Sequence, residues 1–210
     1  MDKTQIAVEI FDRRAVEYQS KFMDVGLYSE TFDLFCDAIK TENAAILDIA
    51  CGPGNITQYL LNKRPDFQIT GIDLAPNMIQ LAKINNPSAK FQIMDCRDIG
   101  TIGKKYEGIM CGFCLPYLSK EECVKLIGDA AGLLTPGGAL YISTMEDDYT
   151  KSGFVQSSSG EDKMYMHYHQ ADYLTQAFLD NGFSIIDLQR IDFPAQNGTT
   201  TIDLVMVGKR

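Results

Sequence analysis

The sequence contains no apolar run approaching the roughly 20 residues that cross a bilayer, so no membrane span is expected. Its first residues, Met1-Asp2-Lys3-Thr4-Gln5, lack the basic segment and apolar stretch of a secretory signal. A cytoplasmic location is the default expectation. Positive charge is scarce: 19 Lys and Arg against 28 Asp and Glu leave a net charge of -9. Phosphate backbones are gripped by cations, so a chain this acidic is expected to have no nucleic-acid partner. Among six cysteines, Cys111 and Cys114 form a lone C-x-x-C pair with no second pair elsewhere. A structural zinc wants four ligands at recognisable spacing, so no metal is expected. The cysteines read as small buried hydrophobes in a reducing compartment.

What is present fits one globular domain. Hydrophobic residues make up 45% of 210, enough for a real core. Residues 1–43 read as a helical cap: Ile6, Ile10, Phe11 and Ala15 fall at helical spacing, as do Phe32, Phe35 and Ile39, with a break at Asp24-Val25-Gly26. From residue 44 to 210 the pattern becomes strand and helix in alternation. Strands are predicted at 45–49, 68–73, 91–94, 108–111 and 139–143. Helices are predicted at 55–63, from Pro76 onward, and at 120–134, where Ser119 can cap the start and Pro136-Gly137-Gly138 the stop. Short connections of this kind imply a mostly parallel sheet covered on both faces. A last helix at 172–181 precedes two strands, 184–191 and 201–207, with no helix between. Such strands pair antiparallel, so the sheet is expected to end in one reversed strand. Residues 145–170 form an insertion placed to cover the crevice. It carries Ser157-Ser158-Ser159-Gly160, read as a mobile loop, and Met164-Tyr165-Met166-His167-Tyr168-His169.

The chemistry concentrates at strand ends. Asp48-Ile49-Ala50-Cys51-Gly52-Pro53-Gly54 closes the first strand and opens a helix. Its glycines permit a tight turn and close approach of a ligand to bare backbone, and the helix start offers free N–H groups to an anion. Asp73 ends the second strand, 19 positions after Gly54, where an acid takes the two hydroxyls of a ribose. Asp95 ends the third. Each acid alone reads equally as turn chemistry or a solvated strand end; three in order along one crevice suit a nucleoside held along its length. A nicotinamide fingerprint would need a third glycine, and Ile56-Thr57 follow Gly54 instead.

Together these segments resemble the class I S-adenosylmethionine-dependent methyltransferases, of the bacterial small-molecule type. Asp48-x-Ala50-x-Gly52-x-Gly54 is similar to their first motif and Gly71-Ile72-Asp73-Leu74-Ala75-Pro76-Asn77-Met78 to their second, with Ala75 where Ser is common. Asp95-Cys96 falls at the third, and Phe113 to Leu118 resembles the fourth. The resemblance is close over about 43–144 and loose elsewhere. It implies a Rossmann-like α/β fold with a seven-stranded sheet, one antiparallel strand near the C-terminal edge, and S-adenosyl-L-methionine as cofactor. It also implies roles: Asp48, Ala50 and Gly52 at the methionine moiety, Asp73 at the ribose, and Leu74 and Met78 on the adenine. Asp95 would meet the adenine amino group, the backbone N–H of Cys96 the ring, and Phe113 the sulfonium. Tyr18, in Ala15-Val16-Glu17-Tyr18, closes over the cofactor or simply faces the core.

Methyl transfer from a sulfonium is an in-line displacement in which the protein mainly positions two partners, and a base is needed only for an acceptor that must lose a proton. His167 is the candidate base, ahead of His169 and Glu146, because histidine titrates near neutrality and 167 and 169 share one face of a strand. A polar strand face or a satisfied structural histidine is the plain alternative. Cys114-Leu115 replaces the residues that nucleobase or amide methylation would want at the fourth strand's end, which favours a small metabolite as acceptor. The chain is expected to act as a monomer or homodimer. A sensor or non-catalytic subunit that binds S-adenosylmethionine is the other reading of the same motifs.

Overall fold

A computed structural model describes residues 3–156, 160–194 and 200–210. The chain begins with α1 (Lys3–Arg13), α2 (Ala15–Phe22), a 3-10 turn (Gly26–Tyr28) and α3 (Ser29–Ala38). The helical cap therefore has a second break, at Arg14, besides the expected one near Gly26. Next come β1 (Ala45–Ile49), α4 (Asn55–Lys63), β2 (Gln68–Asp73), α5 (Pro76–Asn85), β3 (Lys90–Ile93) and β4 (Tyr106–Cys111). After these follow α6 (Lys120–Leu133), β5 (Leu134–Glu146), β6 (Gly153–Gln156), β7 (Lys163–Met166), α7 (Ala171–Asp180), β8 (Ser184–Pro194) and β9 (Thr200–Lys209). Residues 157–159, most of the serine loop, lie outside the described residues.

Seven strands form one sheet in the order β3-β2-β1-β4-β5-β9-β8. Pairs among the first five strands are parallel, and β9 runs antiparallel to both neighbours. The reversed strand is thus present but does not end the sheet. The last strand slots between β5 and β8, leaving β8 at the edge. The reason lies in burial: residues 203–208 of β9 are all buried, whereas β8 alternates between exposed and half-buried positions. The more apolar strand takes the inner place.

Alternation along the central strands builds two cores. Leu47, Ile49, Ile109, Leu140 and Ile142 pack toward α6 and α7, while Ile46, Met110 and Tyr141 pack with Phe32 and Phe35 of α3 and Leu60 of α4. Ser119 caps α6 in a reciprocal box with Glu122. The helix ends at Leu133, and β5 begins at once. The expected turn at Pro136 to Gly138 becomes a bulge, because the register slips between Tyr106 and Gly108 of β4. No helix among the described residues is long and apolar enough to cross a membrane.

Candidate functional site

The sheet order reverses between β1 and β4, and the chain opens a cleft there, at the carboxyl ends of the parallel strands. The elbow after β1 forms its floor. Ala50, Gly52 and Gly54 all hold positive φ, at 53°, 53° and 81°. Gly54 caps α4 in the left-handed region, and a Cβ there would stand 2.4 Å from Asn86 Nδ2. At Gly52 a Cβ would meet only Tyr18 Cε1, at 3.8 Å, so its backbone lies bare toward the cleft. Three described non-glycine residues have positive φ, and two of them, Ala50 and Phe113, line this one cleft. Strain held at a concave surface marks a place where backbone direction matters more than local stability.

Asp73 binds the elbow together. Its Oδ2 accepts from Gly52 N at 2.9 Å and its Oδ1 from Ala75 N at 2.9 Å. Each oxygen retains a lone pair for a further donor. Burial pushes the Asp73 carboxyl upward, against the pull of the N–H groups of Ala75, Gly52 and Leu74. Leu74, Ala75 and Met78 supply an apolar shelf beside it, and Met94, Asp95 and Cys96 extend the wall along β3. Phe113 and Cys114 complete the far side, with the Phe113 N–H on Ser143 Oγ at 3.0 Å. Helices close the top: Thr4, Ala7, Val8 and Phe11 of α1 and Tyr18 of α2 line a cavity of about 130 Å³. Burial first, then the Asp73 charge, lifts the Tyr18 phenol to about 12.

Nine of the ten predicted cofactor residues line this space: Tyr18, Ala50, Gly52, Asp73, Leu74, Met78, Asp95, Cys96 and Phe113. Asp48 does not. It is 1% exposed, its Oδ2 takes the Thr57 hydroxyl, and burial lifts its carboxyl to about 7. It anchors the elbow to α4 from beneath. Asp95 does line the cleft, yet Arg97 occupies both its oxygens, with Nε at 3.1 and 3.0 Å and Nη2 at 2.7 Å. A ligand amino group would share that carboxylate with Arg97.

The histidines fall elsewhere. They do share one face, with ring centroids 6.2 Å apart, but neither reaches the cleft. His167 is 7% exposed; its N–H donates to Pro116 O at 2.7 Å and its Nδ1 meets Tyr149 Oη at 3.2 Å. Burial, then Lys3, lowers its titration. His169 is fully buried between Leu115 O, at 2.8 Å from Nε2, and the Tyr173 hydroxyl on Nδ1. Burial drops it to about 4. Glu146 pairs with Arg190 and accepts from Ala171 N. The aromatic insertion therefore packs around the turn after β4 rather than over the cleft. It touches α1 instead: Lys3 sits over the Tyr165 ring, and Arg13 and Arg14 pair with Asp162 and Glu161. Sequence reasoning missed α1 as the roof; the only signal was its small buried face at Ala7 and Ile10. All six cysteines are free and all but Cys96 are buried, with Cys96 and Cys114 Sγ 3.5 Å apart.

Residues 46–138 match the family model described as a methyltransferase domain. Over these residues the chain is similar to methyltransferase domains. Sequence relatives include the 235L protein of invertebrate iridescent virus 6, named as a methyltransferase, at 30% identity over 60% of this chain and 52% of that protein. Trans-aconitate 2-methyltransferase of Variovorax paradoxus is 31% identical over 48% of this chain and 38% of that protein. The chain thus spans about half, or less, of the length of the curated relatives it matches. Among solved structures, the 1,6-didemethyltoxoflavin-N1-methyltransferase of Burkholderia thailandensis, with its substrate and S-adenosylhomocysteine, shares the fold at TM-score 0.73 and 19% identity, over 98% of this chain and 88% of that one. The matched residues include the floor of the cleft, from the elbow to Phe113.

Proposed function

We propose that the chain transfers a methyl group from S-adenosyl-L-methionine to a small-molecule acceptor by in-line displacement. The observation that carries this reading is the strained elbow from Ala50 to Gly54, tied through Gly52 N to an Asp73 whose carboxylate still has lone pairs facing a roofed cleft. The donors present fit the cofactor: bare glycine backbone for its methionine part, a carboxylate for two ribose hydroxyls, and an apolar shelf at Leu74 and Met78 for a flat base. When bound, the cofactor supplies the activated methyl group. The chain's own task is to position it and keep water out. Asp73 accepts from the ribose, the Cys96 N–H meets the base, and Asp95 meets its amino group in competition with Arg97. Phe113 stands beside the reacting centre, and Tyr18 shuts the cleft over Gly52. Asp48 serves by holding the elbow to α4. His167 has no place in this scheme, because its ring meets Tyr149 outside the cleft. Related proteins named for small-molecule acceptors support that acceptor class, and the charge of -9 argues against nucleic acid.

Calorimetry with S-adenosylhomocysteine and with NADH tests the proposal. The first is expected to bind with a one-to-one stoichiometry that Asp73→Ala weakens, and the second to give no heat. Binding of NADH alone would sink it.

A further inference from the structure

On the side of Phe113 away from the elbow, a second polar group waits without a counter-charge. Asp203 lies near the start of β9, opposite Met145 and two positions beyond Ser143 on the β5 register. It stands at the same crevice end of the sheet, outside the residues that line the cleft and joined to them through Tyr28 and Phe113. It is 3% exposed, and Tyr28 Oη donates to its Oδ2 at 2.6 Å. Among the described residues no cation pairs with it, and its other oxygen is not one of the buried atoms left without a partner, so it keeps some accessible surface. A carboxylate this buried is costly to keep charged without a partner. Burial accordingly lifts it to about 6, against the Tyr28 hydrogen bond. The surroundings are aromatic. Tyr28 packs edge-on against Phe113, with centroids 5.1 Å apart, and beside Phe32 at 6.3 Å. Tyr141, joined to Thr31 Oγ1 at 3.1 Å, feels the Asp203 charge. A carboxylate held by a tyrosine hydroxyl at the margin of an aromatic cluster, with no cation on it, suits an ammonium ion, which would neutralise the acid. It repels carboxylates and phosphates.

Resting on the methyltransferase reading above, we propose that Asp203, oriented by Tyr28, is the acceptor-side carboxylate and that the acceptor is an amine. The ammonium form of the acceptor docks against Asp203 beyond Phe113. Asp203 takes one proton, which frees the nitrogen's electron pair. That pair forms the nitrogen–carbon bond as the carbon–sulfur bond breaks, with its electrons left on sulfur. The product leaves as a methylated ammonium, and Asp203 returns its proton to solvent. Tyr28 is a positioning residue in this scheme, fixing the carboxylate through its hydroxyl.

Sinefungin is the probe, because it carries an ammonium where the transferred methyl would stand; S-adenosylhomocysteine carries nothing there. Calorimetry measures both affinities in the wild type, in Asp203→Asn and in Tyr28→Phe, with thermal melting to confirm that each folds. The preference for sinefungin over S-adenosylhomocysteine is expected to fall about fivefold or more in Asp203→Asn, as an unscreened charge pair of this kind implies. A smaller fall in the same direction is expected in Tyr28→Phe. S-adenosylhomocysteine itself should bind all three alike. An unchanged ratio in a folded Asp203→Asn overturns the proposal. Should that variant not fold, an unchanged ratio in Tyr28→Phe overturns it instead. Failure of the wild type to bind S-adenosylhomocysteine would overturn the methyltransferase reading, a separate result.

Discussion

The floor of the cleft and its roof are built from different materials. The floor is backbone: an elbow at positive φ, a carboxylate gripping two N–H groups, and strand ends fixed by a parallel ladder. The roof is side chain. Phe11 meets Tyr18 and Tyr117 edge to face, Asp12 holds Asn77, and Arg13 and Arg14 reach the β6–β7 hairpin. Rigid backbone suits a group whose shape never varies. Side chains joining remote segments suit a part that must open to admit it. The floor should therefore fail abruptly when altered, and the roof by degrees.

The sharpest break is expected at Gly54. A valine there must hold φ near 81° and place its Cβ 2.4 Å from Asn86 Nδ2 and 3.3 Å from Ala82 Cα. The Asn86 amide is buried and donates to Gly54 O at 2.9 Å, so it has little room to yield. Strain and overpacking together are expected to cost about 3 kcal/mol or more. Urea denaturation reads this, and S-adenosylhomocysteine binding should vanish. Gly52→Ala, with space for its Cβ, should cost only about 1 kcal/mol. Equal losses at both positions would show that the elbow is not the rigid part.

Asp73→Ala acts on the floor without reshaping the core. On the proposed function it removes the acceptor for the ribose hydroxyls, and it frees the Gly52 N–H. Cofactor affinity is expected to drop more than tenfold, or about 1.5–3 kcal/mol for hydrogen bonds to a charged acceptor. Calorimetry with S-adenosylhomocysteine checks it. A twofold change or less would remove Asp73 from the site.

pH separates the two regions by sign. Asp48, under the floor, titrates near 7 in the fold, well above an unfolded aspartate at about 3.9. The native state holds that proton longer than the unfolded chain, so Asp48 costs stability as pH rises from about 4 to about 7. His169, behind the roof, titrates near 4, below an unfolded histidine at about 6.5. Its contribution is complete above about 6.5 and fades as pH falls toward 4. Stability measured across this window should rise at its upper end by about 1–2 kcal/mol in Asp48→Asn relative to wild type. In His169→Gln the loss on acidification should shrink by a similar amount. Parallel curves for wild type and both variants would mean that neither group is as buried as its surroundings indicate.

The same contrast explains what the sequence disclosed. Local pattern carried the floor: a glycine elbow, acids at the tips of β2 and β3, a capped α6. Each is a rule about a few adjacent residues, and nine of the ten residues that the resemblance to methyltransferases implied line the cleft. Asp48 lies outside the lining because its side chain turns onto Thr57 of α4, a contact that spacing along the strand does not resolve. Of the roof, the sequence offered Tyr18 as a side chain that closes over the cofactor or faces the core, and the rest only as helix and insertion. That α1 rather than residues 145–170 covers the cleft depends on Lys3 meeting Tyr165 and Arg14 meeting Glu161, pairs far apart in the chain. His167 and His169 looked catalytic by residue type, yet the turn after β4 absorbs their hydrogen bonds. Asp203 drew no notice, because a single acid in an apolar strand carries no motif.

The smallest expected effect concerns how the roof opens. Arg14 joins Glu17, Glu161 and Asp162, and Arg13 joins Asp162, so the ion pairs that bind α1 and α2 to the hairpin gather in one exposed cluster. Exposed pairs add little to global stability and are screened by salt. They can still govern a local opening, because together with the Lys3–Tyr165 contact they join the start of the chain to the hairpin. From about 0.1 M to about 1 M salt the screening length falls from about 10 Å to about 3 Å. Dissociation of S-adenosylhomocysteine, followed by stopped flow, should quicken about threefold over that range while the melting temperature barely moves. Replacing both Arg13 and Arg14 by alanine should give the fast rate at low salt and abolish most of the salt dependence. A salt-independent rate in the wild type would mean that α1 swings with the aromatic contacts of Phe11 and Tyr18 instead, and that the hairpin is a buttress rather than a latch.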